Sequence, residues 1–252
     1  MGGMNDGPTT GETPLPGGHV STVVRVGEKV LRTPGRRAAF VRKVLKHFDQ
    51  CGWNAAPIHL GFDADGREVL TFIDGHVPWT AHHISGVTSD LSLCRVAELV
   101  REFHDLTAGT RLAGKEEVVC HNDLSPKNTV YHDAGAGPVP VAFIDWDLAA
   151  PGRRIHDVAH VCWQYAGLGP AADPEEAARQ VQLISDAYGL AEPENLVDTI
   201  LWWQDRCWRG IEAAADDEPA MARLRDAGVP AEIRAAHKWV RRHRQVLEAA
   251  LL

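Results

Sequence analysis

The 252-residue sequence predicts an α+β fold of two lobes, a small N-terminal antiparallel sheet lobe with one helix and a larger, mostly helical C-terminal lobe. Three observations predict it. Apolar, β-branched runs broken by turn residues occupy 20–32 and 57–73, which is the pattern of hairpins. Apolar residues recur at spacings of three and four through most of the chain after residue 89, which is the pattern of amphipathic helices. Short apolar runs flank a polar loop at 121–131, placing strands there inside the helical part.

In order along the chain, residues 1–16 are rich in Gly, Pro and polar side chains, with little surface to bury, and read as a flexible segment. The first lobe is expected over 17–75 and the second over 76–252. The stretch 20–32 reads as a hairpin broken at Gly27-Glu28. Residues 36–50 carry Phe40, Val41, Val44, Leu45 and Phe48 on one face, predicting a helix beneath the sheet. The runs 57–62 and 68–73, joined through Asp63-Ala64-Asp65-Gly66, predict a second hairpin. A helix over 90–106 starts at the caps Ser89 and Asp90. Further helices are expected over 154–163, 174–188, 193–214 and 231–252, with Pro or Gly between them.

The polar loop reads His121-Asn122-Asp123-Leu124-Ser125-Pro126-Lys127-Asn128, and Phe143-Ile144-Asp145-Trp146-Asp147 lies downstream of it. An Asp with an Asn five residues on has the spacing of a kinase catalytic loop, where the Asp accepts a hydroxyl proton and the Asn holds magnesium. The apolar run 139–144, with Pro140 inside it, would deliver Asp145 at a strand end as a second oxygen ligand. A transferring phosphoryl group asks the protein mainly for positioning and charge neutralisation, which these residue types supply. Two bland readings stand beside this one: His121 as a packing residue of the loop, and Asp145 with Asp147 as a turn cap.

At these residues the chain resembles the aminoglycoside phosphotransferase and choline kinase-like family, small-molecule kinases with the two-lobed protein-kinase-like fold. His121, Asp123, Asn128 and Asp145 fill the family's motif positions, and the segment from Gly152 to His160 resembles the family's segment after the metal motif, where an Asp opens a helix. The resemblance implies Asp123 as catalytic base, Asn128 and Asp145 as magnesium ligands, and Asp157 as an architectural residue. Gly17-Gly18-His19-Val20-Ser21 occupies the place of the glycine-rich phosphate loop, so Gly18 and Ser21 are expected at the nucleotide, with a flexible entry to the first strand as the other reading. The stretch from Ile73 to Gly75 resembles the hinge whose backbone meets the adenine edge. Lys127 would face a transferring phosphoryl oxygen or a solvent ion pair.

Three departures from the family's pattern stand out. The first helix contains no Glu to pair with a phosphate-gripping cation, and the strand residue nearest that cation's place is Arg32, in Val30-Leu31-Arg32. The Gly-x-Gly-x-x-Gly loop is missing. Asn122 stands where the family often has Gly.

The implied activity is transfer of the γ-phosphate of ATP, with Mg2+ and with GTP left open, to a hydroxyl of a small molecule. An aminoglycoside-like or other antibiotic is one substrate class; choline, amino acids and sugars are others. A nucleotide-binding pseudokinase, or an immunity protein that binds a toxin on the same fold, is the competing class. A metal-dependent hydrolase built on His121, Asp123, Asp145 and Asp147 is a third.

Composition bounds these readings. A net charge of -8 argues against nucleic acid as a ligand and suits a cationic substrate. No apolar stretch reaches the roughly 18 residues of a membrane span, and residues 1–18 lack the charged start and apolar run of a signal peptide. The five cysteines are scattered without a Cys-x-x-Cys pair, so they read as reduced and mostly buried, in a cytoplasmic monomer or homodimer. Most of the eight tryptophans read as core, with one or two available to wall a ring substrate. Asp205, Glu212, Asp216, Asp217 and Glu218 read either as a solvated helix surface or as a pocket for substrate amines. His82 and His83 are adjacent and cannot share a helix face, which disfavours a metal site there.

Overall fold

A computed structural model describes residues 11–15, 23–79, 86–133, 135 and 137–252. Gly18, Ser21, His82 and His83 lie outside the described residues.

Five strands form the N-terminal sheet: β1 (Thr13–Pro14), β2 (Val23–Val26), β3 (Lys29–Arg32), β4 (His59–Phe62) and β5 (Glu68–Thr71). Their order is β1-β2-β3-β5-β4 and every pairing is antiparallel. The β2–β3 hairpin closes on Gly27-Glu28, where Gly27 takes φ 59°, the left-handed conformation a two-residue turn requires. In the second hairpin the Asp63 carboxylate accepts the backbone N–H groups of Asp65 and Arg67 at 3.0 and 2.8 Å. The structure differs from the expected flexible 1–16 in one respect. Thr13 and Pro14 pair with Arg25 and Val24 and extend the sheet by one short strand.

Helix α1 (Ala38–Gln50) buries Val41, Val44, Leu45 and Phe48. The Phe48 ring lies 4.8 Å from Trp53, 5.1 Å from Trp146 and 6.3 Å from Phe103, all edge-on. This aromatic knot joins α1 to the turn around Trp146 and to α2 (Asp90–Thr107), so one apolar core runs from the sheet region into the helices. Ser89 caps α2 by accepting the Ser92 N–H at 3.3 Å.

Beyond α2, β6 (Val118–Cys120) pairs with β9 (Ala150–Gly152), and β7 (Thr129–Asp133) pairs with β8 (Pro138–Phe143). Pro140 has no N–H to donate, and the β7–β8 register shifts between Val130 and Tyr131 beside it. The remaining helices are α3 (Arg154–Tyr165), α4 (Pro174–Tyr188), α5 (Leu196–Ala214), α6 (Pro219–Asp226), α7 (Val229–Arg242) and α8 (Arg244–Ala249). The single helix expected over 231–252 is two, parted at His243, and α6 was not anticipated: it is only eight residues long and none of them is fully buried, Met221 and Leu224 packing partly buried against the core. The α+β class and its distribution, sheet first and helices after, are as the sequence predicts. No described helix is long and apolar enough to cross a membrane. All five cysteines are free, with Cys120 and Cys162 buried and Cys51 exposed.

Candidate active site

Strand β6 delivers the polar loop, and Asp157 at the start of α3 fixes its backbone. The Asp157 carboxylate accepts the N–H of His121 at 2.7 Å and that of Asn122 at 2.9 Å, and His104 Nε2 lies 3.1 Å from it. Asp157 and His104 are both fully buried. The His104 bond and the Asn122 N–H hold the Asp157 carboxyl below its ordinary range against the opposing effect of burial. Asn122 takes φ 65°, a region that Gly enters freely and Asn tolerates, and its Nδ2 donates to the Leu148 carbonyl at 3.0 Å.

The next turn folds Asn128 back on Asp123. Asn128 Nδ2 donates to the Asp123 carbonyl and to its Oδ2, both at 2.8 Å. The Asn128 carbonyl accepts the Ile144 N–H at 2.9 Å, and His121 Nε2 lies 3.1 Å from the Ile144 carbonyl. The loop and the strand leading to Asp145 are therefore hydrogen-bonded to one another. His121, fully buried against the Trp146 ring at 4.5 Å, is a packing and bonding residue of the loop.

Asp145 takes φ 62°, placing a half-exposed carboxylate at the strand end. Burial and the neighbouring charges of Asp147 and Asp123 raise its pKa. Asp145 feels the charges of Asp147 and Asp123, carboxylate oxygens are hard donors, and Asn128, whose Nδ2 is committed to Asp123, has an amide oxygen free of hydrogen bonds among the described residues. This oxygen donor set fits magnesium.

Arg32 is brought to the same place from β3. Its Nη2 lies 2.6 Å from Asp147 Oδ1 and its Nη1 3.7 Å from Asp145 Oδ1, while its Nε lies 3.1 Å from Glu68 Oε2. Glu68 is the residue that sequence reasoning missed. It opens β5 directly opposite Arg32 in the antiparallel register, buried as deeply as any core side chain. The carboxylate sought on the helix thus comes from the neighbouring strand. The signal available was an acid opening an apolar strand run; its pairing with β3 was not legible. Gly35 leaves room for Asp147, since a Cβ there would meet the Asp147 carboxylate at 2.9 Å.

Lys127 is exposed on the turn beside Asn128 and has no ion-pair partner among the described residues. Between β5 and β7, Gly75 takes φ 136° against Val130 and Tyr131, where a Cβ would stand 2.5 Å from Val130 Cγ1. This close approach seats the strand bridge between His76 and Tyr131. Half-buried Ile73 and its backbone N–H make no hydrogen bond among the described residues.

Asp123 also acts electrostatically on His160 of α3 and Cys207 of α5. The His160 ring stacks on Trp163 at 5.5 Å and lies 5.2 Å from Trp203; Trp203 in turn contacts Trp202, whose ring stacks on His156. Trp163 and Trp239 are core, whereas Trp202 is exposed. Asp205, Glu212, Asp216 and Glu218 each form an ion pair with an arginine: Arg209, Arg234, Arg225 and Arg36. They match the solvated-surface reading.

The model of the phosphotransferase enzyme family matches residues 105–195, the stretch holding the polar loop, Asp145 and Asp157. The trifolitoxin immunity protein of Rhizobium leguminosarum bv. trifolii is 31% identical over 98% of this chain and all of that protein. The chain belongs to the phosphotransferase enzyme family. Among solved structures, a choline/ethanolamine kinase family protein from Mesorhizobium loti superposes with a TM-score of 0.57 at 17% identity, covering 97% of this chain and 93% of that one. The aminoglycoside phosphotransferase APH(3'')-Id from Streptomyces rimosus, in complex with ADP and streptomycin, gives 0.57 at 15% identity over 79% of this chain and 92% of that one. Phosphotransferase APH(2")-IIia with GDP and kanamycin gives 0.56 at 13% identity over 97% and 94%. These likenesses fix the fold as protein-kinase-like, with the sheet and α1 as its first lobe.

Proposed function

We propose that this protein is a small-molecule O-phosphotransferase that moves the γ-phosphate of ATP, with magnesium, to a substrate hydroxyl. The observation that carries the reading is Asn128 holding the Asp123 carboxylate at 2.8 Å on a loop bonded to the strand that presents Asp145. A pure binding module has no physical need for a poised proton acceptor beside two oxygen ligands for metal.

In this reading Asp123 orients the substrate hydroxyl and accepts its proton. The hydroxyl oxygen bonds to the γ-phosphorus as the bond to the bridging oxygen breaks and ADP leaves. Asn128 and Asp145 would hold magnesium, which when bound would neutralise phosphate charge. Arg32 contacts phosphate oxygens, Lys127 supplies positive charge near the transferring group, and the backbone from Ile73 to Gly75 meets the base. The N-terminal segment, residues 17–75, carries nucleotide, with Gly18 and Ser21 at the phosphates, and residues 76–252 carry the base, metal ligands and substrate. ATP as donor with GTP left open, a cytoplasmic location and a monomeric or homodimeric state belong to the same proposal.

The substrate is a hydroxylated small molecule; the immunity relative supports a role against a toxic compound, which in the kinase reading is disarmed by O-phosphorylation. The acidic side chains of α5 and the segment after it are engaged by arginines, so the preference for a cationic, aminoglycoside-like substrate rests on net charge and on the aminoglycosides bound by the neighbours. That same immunity relative favours a second reading, in which the fold binds a toxin without phosphoryl transfer. Phosphate transfer from labelled ATP to a panel of hydroxylated antibiotics and small amines separates the two. A labelled product supports the kinase; tight toxin binding without any labelled product supports the binding protein.

A further inference from the structure

We propose that Arg32 works between one fixed and one exchangeable carboxylate, with Glu68 anchoring its guanidinium and a nucleotide phosphate displacing Asp147 from it. This rests on the kinase reading above and assigns Glu68 and Asp147 positioning roles.

The two partners differ in how they are held. Glu68 lies in a strand bonded on both sides, to β3 and to β4, and its side chain is 2% exposed. Its Oε2 takes Arg32 Nε at 3.1 Å, and its Oε1 lies 3.7 Å from His59 Nε2, another buried group. Withdrawing Arg32 would leave a buried carboxylate without its cation, which is strongly unfavourable. Asp147 sits in a single turn after Asp145 and its side chain is 33% exposed. It reaches water or a metal ion at little cost once Arg32 turns to another anion.

The guanidinium geometry permits this division. Its Nε faces Glu68, while both terminal nitrogens face the carboxylates of the metal segment, Nη2 at 2.6 Å from Asp147 and Nη1 at 3.7 Å from Asp145. The anchored edge fixes the plane of the fork, and the other edge is the one that a phosphate would engage bidentately. Because the anchor is on β5 and α1 has no Glu and no acidic residue in its first turn, the cation is set by the sheet register. Shifts of α1 therefore leave the phosphate grip in place.

The test is titration calorimetry of ADP into the full chain with EDTA present, so that metal does not mask the carboxylates. Glu68→Gln is expected to weaken ADP roughly tenfold or more, the effect of losing one charge-assisted bond to the cation. Asp147→Asn is expected to tighten ADP about threefold to fivefold, because it removes a partly exposed competitor. Both effects should vanish in an Arg32→Met background, which a merely structural role of Glu68 would not produce. Should Glu68→Gln fail to fold, Asp147→Asn decides alone: tightening supports the proposal, unchanged or weaker binding overturns it. Wild-type affinity in both variants overturns the proposal and leaves the kinase reading standing. Failure of the wild-type chain to bind ADP, with or without magnesium, overturns both.

Discussion

The carboxylate of Asp157 accepts the backbone N–H of His121 at 2.7 Å, across 36 positions of sequence and with neither residue exposed. With the second bond to Asn122 it sets the direction in which the loop carries Asp123 out of β6. Removing it leaves the buried His121 N–H, the partly buried Asn122 N–H and the His104 ring without their acceptor. Asp157→Ala is expected to cost about 3 kcal/mol of stability, a fall in Tm of roughly 6–12 °C. Thermal unfolding checks this, and a Tm within experimental error of the wild type would contradict it.

Asn122 carries the loop through a left-handed conformation at φ 65°. Asn122→Gly is expected to stay within about 1 kcal/mol of the wild type, because Gly enters that region freely. Asn122→Val is expected to lose about 2 kcal/mol and to reduce turnover, since a β-branched residue strains there and the bond to the Leu148 carbonyl is lost. Urea unfolding of the two variants side by side is the check.

Stability should fall as the medium is acidified below neutrality. Burial lowers the pKa of His160, so in the folded chain the ring stays neutral at pH values where the unfolded chain binds a proton. Its contribution is complete above the unfolded value of about 6.5 and is lost as pH falls from there through the depressed folded value, at up to about 1.4 kcal/mol per pH unit. Urea midpoints at pH 7.5 and 5.5 measure it. His160→Gln should flatten part of the difference, and an unchanged difference in that variant would contradict the assignment.

The parts legible in the sequence are those set by local spacing. The loop from His121 to Asn128, the strand to Asp145, both N-terminal hairpins and the start of α2 at Ser89 each carry their signal within a few residues. What stayed hidden depends on long-range pairing. The adjacency of β3 and β5, which puts Glu68 opposite Arg32, joins strands separated by α1 and β4, and nothing local states that register. The β6–β9 pair was equally invisible, because Ala150-Pro151-Gly152 has no strand propensity of its own and pairs only because the loop and the metal segment bring it there. The missing helix Glu is a departure from the family's pattern in the sequence; in the fold, Glu68 on the strand beside β3 is the buried carboxylate paired with Arg32.

The central claim is that Asp123 takes the proton while Asp145 holds the metal, and paired variants test it most directly. The measurement is magnesium-ADP affinity beside ATP-dependent turnover for the wild type, Asp123→Ala and Asp145→Ala, on a compound the wild type phosphorylates. The account predicts that Asp123→Ala abolishes turnover with magnesium-ADP affinity nearly unchanged, and that Asp145→Ala weakens that affinity. Turnover retained in Asp123→Ala, or an equal loss of nucleotide affinity in both variants, would contradict it.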